Sequence, residues 1–262
     1  MIESIIKFGQ YKNLIGIISK PETNDEGLPI IIFLNSGMIP MMGPNRLHVN
    51  IARKVSQLGF TSFRFDFACV GDSSMADSSK DFEESAVNDV KEAMNMLENV
   101  NQTSRFVLIG ICTGGDITMK TALVDNRVIG IVPINGVYFD KEIYQSLLTH
   151  KKTTNFLFLS KWSYKTLIAK KDCKKFEDML LPLQKFLNNK VDLFLIYSDG
   201  SYRLNMVMKT IMNKLVELRN QRLINLKIFC HLDSMFTPTW AQEYLIDIIC
   251  KWLKLRYKNN DR

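Results

Sequence analysis

Arg105-Phe-Val-Leu-Ile-Gly-Ile-Cys-Thr-Gly-Gly115 is the most informative stretch of this 262-residue sequence. Its apolar run predicts a buried strand over 105–109, and the pattern of residues 115–125 predicts a helix immediately afterwards. Between them, glycine stands two residues before Cys112 and two residues after it. Side chains at those two positions would collide where a strand reverses into a helix, so small residues are needed there. The stretch therefore predicts a sharp turn that presents the Cys112 thiol.

This turn has the spacing of a nucleophile elbow, with cysteine in the place where serine is usual. In that geometry the backbone N–H of Thr113, at the start of the helix, can donate to an oxyanion. The alternative interpretation is a glycine-rich turn around a structural cysteine, because reduced cysteine is among the most buried residue types. The strand-turn-helix context favours a nucleophile at Cys112.

Strands and helices alternate along most of the remaining chain. The patterns predict an opening hairpin (2–9 and 13–20), strands over 29–35, 61–67, 127–134, 191–197 and 225–230, and helices over 45–58, 82–99, 203–221 and 238–255. Such alternation is typical of an α/β fold with a mainly parallel central sheet flanked by helices. It breaks over 137–188, which we interpret as an inserted helical cap. Residues 1–136 and 189–262 would then form the core.

Composition excludes several classes of protein. The chain is 46% hydrophobic and 23% charged, which is typical of a globular domain and not of a disordered one. No uncharged apolar run reaches the roughly 18 residues of a transmembrane helix. The N-terminus lacks the zones of a signal peptide, so a cytoplasmic location is expected. Five cysteines without a CxxC pair and three scattered histidines predict neither a disulfide framework nor a metal site, and no cofactor is expected.

Several short motifs accompany the predicted strands and extend the pattern beyond the elbow. They are Asn35-Ser-Gly37, Gly43-Pro-Asn-Arg46, Phe63-Arg-Phe-Asp66, Gly71-Asp-Ser73 and Phe236-Thr-Pro238. With them the chain resembles the α/β-hydrolase superfamily over nearly its whole length, and in particular the small hydrolases found beside exosortase and acyl-carrier gene sets. The Gly-x-Cys-x-Gly-Gly elbow is also similar to that of dienelactone hydrolases, which use a cysteine. The resemblance implies an α/β-hydrolase fold.

The same resemblance implies a second oxyanion donor. The loop after Asn35 would supply a backbone N–H from Gly37 or Met38. Independently of any family, open α/β sheets bind ligands beyond the carboxyl ends of their strands. Arg46 opens the following helix and could orient that loop or bind a substrate carboxylate. An exposed arginine at a helix start is the alternative interpretation.

The triad partners depart from the pattern of the related hydrolases. Their acid follows the strand corresponding to 191–197, where this chain has Ser201, and the nearby carboxylate is Asp199. Their histidine precedes the last helix, where this chain has Ser234, and His231 lies three residues upstream. The sequence therefore predicts His231 and Asp199 as a substitute base and acid, with Ser234 and Ser201 beside the substrate. The alternative is a loop histidine without a catalytic role.

Loss of the base is chemically more tolerable for a thiol than for a hydroxyl. A thiol ionises near pH 8.5 unaided, and a helix N-terminus lowers that pKa further. We therefore predict an acyl-transfer enzyme (thioesterase, acyltransferase or esterase-like) that acts through Cys112 on an ester or thioester. The alternative is a triad-deficient protein that serves as a binding scaffold or as a non-hydrolytic biosynthetic enzyme, such as an isomerase or cyclase.

The charge pattern bears on the partner. Formal net charge is +7, which favours an anionic partner, and no nucleic-acid-binding motif is present. Residues 151–175 contain eight lysines and a single acid, Asp172. We interpret this segment as a docking surface for a substrate carried on acyl carrier protein or coenzyme A. A solvated helix face is the alternative. Neither nucleic-acid binding nor membrane insertion is expected.

Overall fold

The computed structural model describes residues 1–22, 27–74, 81–136, 173–200 and 212–258. The strands are β1 (Ile2–Phe8), β2 (Leu14–Lys20), β3 (Ile30–Leu34), β4 (Ser62–Phe65), β5 (Phe106–Ile111), β6 (Val128–Ile134), β7 (Asp192–Ser198) and β8 (Asn225–Phe229). The helices are α1 (Leu47–Gln57), α2 (Phe82–Asn101), α3 (Thr113–Val124), α4 (Cys173–Asn188), α5 (Met212–Asn220) and α6 (Thr239–Leu253). A 3-10 turn, Pro44–Arg46, precedes α1, and a π-helical turn, Lys254–Lys258, follows α6.

All eight strands belong to a single sheet in the order β1-β2-β4-β3-β5-β6-β7-β8. The hairpin strands β1 and β2 pair antiparallel, as do β2 and β4, and every pair from β4 through β3 to β8 is parallel. The carboxyl ends of the parallel strands therefore meet at one edge of the sheet. Strand β5 lies between β3 and β6, so the turn at Cys112 stands at the middle of that edge. The predicted mainly parallel sheet flanked by helices is confirmed.

The sheet separates two apolar cores, which explains why β5 is apolar without interruption. Phe106 and Leu108 face the core that contains α2, α3, α4 and α5. Val107, Ile109 and Ile111 face the core that contains α1 and α6. Each of these side chains is fully buried. A parallel strand covered by helices on both faces needs apolar residues at every position, and not only at alternate ones.

The predicted boundaries are confirmed to within a few residues, with a notable difference at the elbow. Strand β5 continues to Ile111, and α3 begins at Thr113 instead of 115. Glycine lowers helix propensity, yet Gly114 and Gly115 both lie in the first turn of α3. Tertiary packing outweighs that propensity, because the first turn of α3 lies against the backbone of β3. Of the helix predicted over 203–221, residues 203–211 lie outside the described part of the chain.

The predicted cap over 137–188 coincides largely with residues outside the described part. Its final portion forms α4, in which Leu183 and Phe186 are buried in the core that α2, α3 and α5 share. The end of α4 therefore packs as a crossover helix that leads into β7. The cap remains a prediction for 137–172. None of the described helices combines the length and the hydropathy needed to cross a membrane.

Candidate active site

Cys112 occupies a strained backbone conformation between β5 and α3, with φ 53° and ψ −115°. Its N–H donates to the carbonyl of Ile134 at 2.8 Å, and its side chain is half-buried. A Cβ on Gly110 would lie 2.3 Å from the carbonyl of Gly114, and a Cβ on Gly114 would lie 2.5 Å from the carbonyl oxygen of Asn35. Both glycines are therefore required by close backbone approach. The predicted sharp turn at Cys112 is confirmed.

A tight turn, 36–39, follows β3 and lies against the elbow. The N–H of Ile39 donates to the carbonyl of Ser36 at 3.1 Å, and Gly37 has a φ of 58°. The N–H of Gly37 donates to Thr113 Oγ1 at 2.6 Å. Among the predicted oxyanion donors, Gly37 is thus engaged by a side chain, and no hydrogen bond within the described residues engages the N–H of Met38. Thr113 begins α3, where backbone N–H groups have no acceptor within the helix.

Two buried side chains, Asn35 and Asp66, hydrogen-bond to the backbone of this turn and of the residues that follow it. Asn35 donates through Nδ2 to the carbonyl of Ile39 at 2.9 Å and to Asp66 Oδ1 at 3.0 Å. Asp66 also accepts the N–H of Met41 at 2.6 Å and the N–H of Asp72 at 3.0 Å. The exposed fraction is 1% for Asn35 and 0% for Asp66. Asp66 therefore anchors the backbone of both loops that follow β3 and β4.

His48 and Arg46 lie at the start of α1, beyond the same turn. Arg46 is exposed with a φ of 60°, and its side chain has no hydrogen-bond partner among the described residues. His48 is fully buried, with its ring 5.5 Å from that of Phe33, and neither ring nitrogen has a hydrogen-bond partner in the described part of the chain. Burial lowers the pKa of His48 to about 4. This imidazole is therefore neutral at pH 7.

Asn135 hydrogen-bonds to neighbouring backbone on the β6 side of the elbow, as Asn35 does on the β3 side. It follows β6, has a φ of 52° and is fully buried. Its Nδ2 donates to Ser198 Oγ at 3.0 Å and to the carbonyl of Ser234 at 3.1 Å. Its Oδ1 accepts the N–H of Ser198 at 2.8 Å. Sequence reasoning missed this residue, although a polar side chain directly after the apolar run of β6 was a usable signal.

Asp199 and His231 meet in the structure, but through the backbone of His231. Asp199 accepts the N–H of His231 at 2.7 Å and the N–H of Leu232 at 3.0 Å. These hydrogen bonds lower the pKa of Asp199 below its ordinary value. His231 is exposed with a φ of 59°, and no hydrogen bond among the described residues joins its imidazole to Asp199 or Cys112. The substitute base and acid remain a prediction.

Ser234 lies in the loop between β8 and α6, at the edge of the sheet where a base was expected. It is half-buried, and its carbonyl is held by Asn135. The neighbouring Asp233 accepts the N–H of Met235 at 2.8 Å and the N–H of Thr237 at 3.0 Å. Although partial burial opposes them, these hydrogen bonds lower the pKa of Asp233. Ser201, the predicted counterpart of the acid, lies outside the described residues.

The other described cysteines differ from Cys112 in their surroundings. Cys69 and Cys230 are exposed, and Cys250 is buried in α6, where burial raises its thiol pKa to about 11. Within the described ranges no group of three or more His, Cys, Asp or Glu side chains could hold a metal ion. Of the described thiols, only that of Cys112 follows a parallel strand at the middle of the sheet edge.

Solved structures that are similar to this chain include several α/β hydrolases. An α/β serine hydrolase homologue from Coxiella burnetii has 14% identity and a TM-score of 0.60, and the match covers 96% of this chain and 97% of that one. An esterase from Pyrococcus furiosus has 15% identity and a TM-score of 0.60, with 98% and 91% covered. The α/β hydrolase domain-containing protein 10 from mouse has 14% identity and a TM-score of 0.57, with 97% and 99% covered. These likenesses show the α/β-hydrolase fold.

Comparison with curated proteins finds no match to this chain. The model of the dienelactone hydrolase family matches residues 41–178, which is more than half of the chain and includes the elbow. The chain therefore belongs to the dienelactone hydrolase family.

Proposed function

We propose that this protein is an acyl-transfer enzyme that uses the Cys112 thiol as its nucleophile on an ester or thioester. The observation that supports the proposal best is the elbow itself. Cys112 has a left-handed φ at the start of α3, beside the turn 36–39. Strained backbone of this kind is concentrated at functional sites, and membership of a hydrolase family supports the same chemistry.

The proposed reaction begins with attack of the Cys112 thiolate on the acyl carbon. A bond forms between sulfur and carbon, and the carbonyl electron pair moves onto oxygen. The N–H groups of Thr113 and Met38 donate to that oxyanion, and the positive end of α3 stabilises both the thiolate and the oxyanion. The oxyanion then collapses, and the alkoxide or thiolate of the substrate departs and takes up a proton. An acyl thioester remains on Cys112.

The second half of the reaction transfers the acyl group to an acceptor. His231 and Asp199 are the proposed substitute base and acid, and Arg46, Ser234 and Ser201 are the proposed substrate contacts. Because Asp199 accepts backbone N–H groups instead of orienting an imidazole, activation of water is expected to be weak. Thioesters react with amines in preference to water. We therefore expect slow hydrolysis and faster discharge to an amine or thiol.

Intact mass spectrometry tests the nucleophile directly. Incubation with an activated acyl thioester should leave a single adduct on wild-type protein and none on Cys112→Ala. Cys69→Ala is the matched control, because Cys69 is exposed to reagent and, like Cys112, has a positive φ, of 66°. Added amine should discharge the wild-type adduct faster than buffer alone. Equal labelling of wild type and Cys112→Ala would contradict the assignment.

A specific observation favours the alternative scaffold function. Both the Gly37 N–H and the Asp199 carboxylate are engaged within the protein itself, as in a site that no longer performs hydrolysis. A scaffold or non-hydrolytic enzyme predicts no acyl adduct. It also predicts equal affinity of wild type and Cys112→Ala for a hydrolysis-resistant thioester analogue, measured by calorimetry.

We further propose that the acyl group arrives on acyl carrier protein or coenzyme A. The support is the excess of lysine over 151–175, a segment whose side chains lie outside the described part of the structure. Docking by these charges should weaken markedly between about 50 and 300 mM salt, as the Debye length shortens. Affinity that is indifferent to salt would leave the lysines as solubilising charge.

A further inference from the structure

A basic groove lies beside β8, the outermost strand on the side of the sheet opposite the hairpin. It is close to the amino ends of β7 and β8. Its volume is about 690 Å³. Trp252 of α6 lines it and is itself 5% exposed, whereas Leu255 stands at its border and is 64% exposed. The groove lies at the opposite end of β8 from the loop that contains His231. It is therefore separate from the candidate active site.

Three of the four cations that line the basic groove have no carboxylate partner among the described residues. Arg219, Arg222, Lys227 and Arg256 line it, and none of the lining residues is acidic. Arg256 lies 3.4 Å from Asp192, which is not a lining residue. Within the described residues, no carboxylate pairs with any of the other three. A surface that gathers unpaired guanidinium groups around apolar side chains is suited to a carboxylate-bearing partner, because arginine binds carboxylates through two parallel hydrogen bonds.

Lys227 is held in place rather than extended into solvent. Its Nζ donates to the hydroxyl of Tyr244 at 3.0 Å and lies 5.0 Å from the centroid of that ring. Because the side chain is already ordered, little rotamer entropy would be lost when a partner binds it. The charge at the middle of β8 is thus pre-positioned.

Strand β8 adds a second recognition element, because it is the edge strand of the sheet. In the described part of the chain its strand neighbour is β7 alone. An edge strand presents a row of backbone N–H and C=O groups that an extended peptide can pair with. The residues of β8 from Asn225 to Ile228 are half-buried, and no strand in the described part of the chain pairs with their outer edge.

We propose that the β8 edge and the basic groove bind an extended acidic peptide segment by strand addition. Backbone pairing to β8 supplies affinity, and acidic side chains of the segment meet Arg219, Arg222 and Lys227. A second copy of this chain is a poor occupant, because it would bring the same cations to the interface and like charges opposite each other destabilise strand pairs. The proposal does not depend on the acyl-transfer function.

Fluorescence anisotropy with a labelled peptide of alternating glutamate and valine tests this proposal on the full chain. We expect saturable binding that Arg219→Ser combined with Arg222→Ser weakens by about tenfold or more. Lys7→Ser with Lys20→Ser is the matched control, because it removes the same charge from the hairpin at the other edge of the sheet. That variant should bind like wild type.

A second probe separates strand addition from simple charge attraction. The same peptide, with alternate backbone amides methylated, retains its charge but cannot complete a strand ladder. It should bind at least about tenfold more weakly than the unmodified peptide. Equal binding of the two peptides, or equal binding of the arginine variant and wild type, would overturn the proposal. Failure of Cys112 to form an adduct would leave it untouched.

Discussion

The two sides of the elbow, which we call the β3 flank and the β6 flank, each contain a buried asparagine but differ in the carboxylate beyond it. Strands β3 and β6 flank β5, and each is followed by a buried asparagine. Asn35 bonds to residues directly after β4, and Asn135 bonds to Ser198 at the end of β7. On the β3 flank, Asn35 donates to Asp66, a fully buried carboxylate whose hydrogen bonds fix both neighbouring loops. On the β6 flank, Asn135 donates to Ser198, the residue before Asp199. Asp199 is an exposed carboxylate that binds the backbone of the His231 loop.

In the proposed acyl transfer, the two flanks would serve different halves of the reaction. The β3 flank orders the turn that would bind an oxyanion, because Asn35 and Asp66 hydrogen-bond to the backbone of Ile39 and Met41. On the β6 flank, the backbone of the His231 loop is held by Asp199, and no hydrogen bond in the described part of the chain joins the His231 imidazole to this carboxylate. A cysteine nucleophile depends less on a base than a serine does, because its thiolate is accessible near neutral pH. Unequal flanks are therefore compatible with acyl transfer through Cys112.

The largest expected effect is the loss of the buried anchor on the β3 flank. Asp66→Ala removes the acceptor of the buried Asn35 side chain and of the N–H groups of Met41 and Asp72. We expect the free energy of unfolding to fall by about 4 kcal/mol, measured by urea denaturation. Asp66→Asn keeps the shape and should cost less. On the other flank, Asp199→Ala should shift the urea midpoint far less, because that carboxylate is exposed. Equal losses for the two alanine variants would contradict the comparison.

Acid should weaken the β3 flank through His48. The pKa of this imidazole is about 4 in the folded protein, against about 6.5 when unfolded, so the unfolded chain binds more protons between these values. The free energy of unfolding should therefore decrease as the pH falls from 7 to 4, by about 3 kcal/mol from this group. His48→Leu removes the titration and should flatten this slope in urea denaturation at each pH. The same slope in both proteins would show that His48 is not responsible.

The sequence predicted the sharp turn at Cys112 but not the hydrogen bonds that Asn35 and Asn135 make on either side of it, and the reason is physical. A buried parallel strand needs a continuous apolar run, and a reversing turn needs glycine, so β5 and the Cys112 turn are encoded within about ten consecutive residues. The partners of Asn135 lie 63 and 99 residues away. A polar residue at a strand end does not specify which loop will lie beside it.

Asp199 and His231 illustrate a finer limit. Their positions after neighbouring strands predicted proximity, and the structure places Asp199 within hydrogen-bond distance of the His231 backbone. The Asp199 carboxylate accepts the backbone N–H of His231, a residue in a left-handed conformation with a φ of 59°. Nothing in the local sequence requires that conformation, because histidine adopts it only occasionally.

Removal of the Thr113 hydroxyl should slow acylation of Cys112 by about tenfold, because the turn 36–39 would lose its tie to the elbow. Thr113→Val deletes the hydrogen bond while preserving the shape, and Thr113→Ser keeps the hydroxyl and should restore the rate. Quenched-flow mass spectrometry of the acyl adduct measures the effect. Alkylation of Cys112 by iodoacetamide, which forms no oxyanion, should be unchanged. An equal fall in both reactions would indicate damage to the thiol's surroundings instead of a positioning role.

The smallest expected effect comes from adding a histidine and a carboxylate to the β6 flank. Ser234→His combined with Ser201→Asp introduces a histidine and a carboxylate at the positions where the resemblance to α/β hydrolases predicts a base and an acid. Because a positioned general base accelerates attack by water, we expect hydrolysis of a p-nitrophenyl ester to rise about fivefold while the rate of adduct formation changes little. The double variant leaves the proposed oxyanion donors Thr113 and Met38 unchanged, so the gain should appear in deacylation alone. His231→Ala in the same background is the control: if Ser234→His supplies the base, loss of His231 should not reduce the gain. An unchanged rate in the double variant would show that the loop held by Asn135 does not bring residue 234 within reach of the acyl thioester.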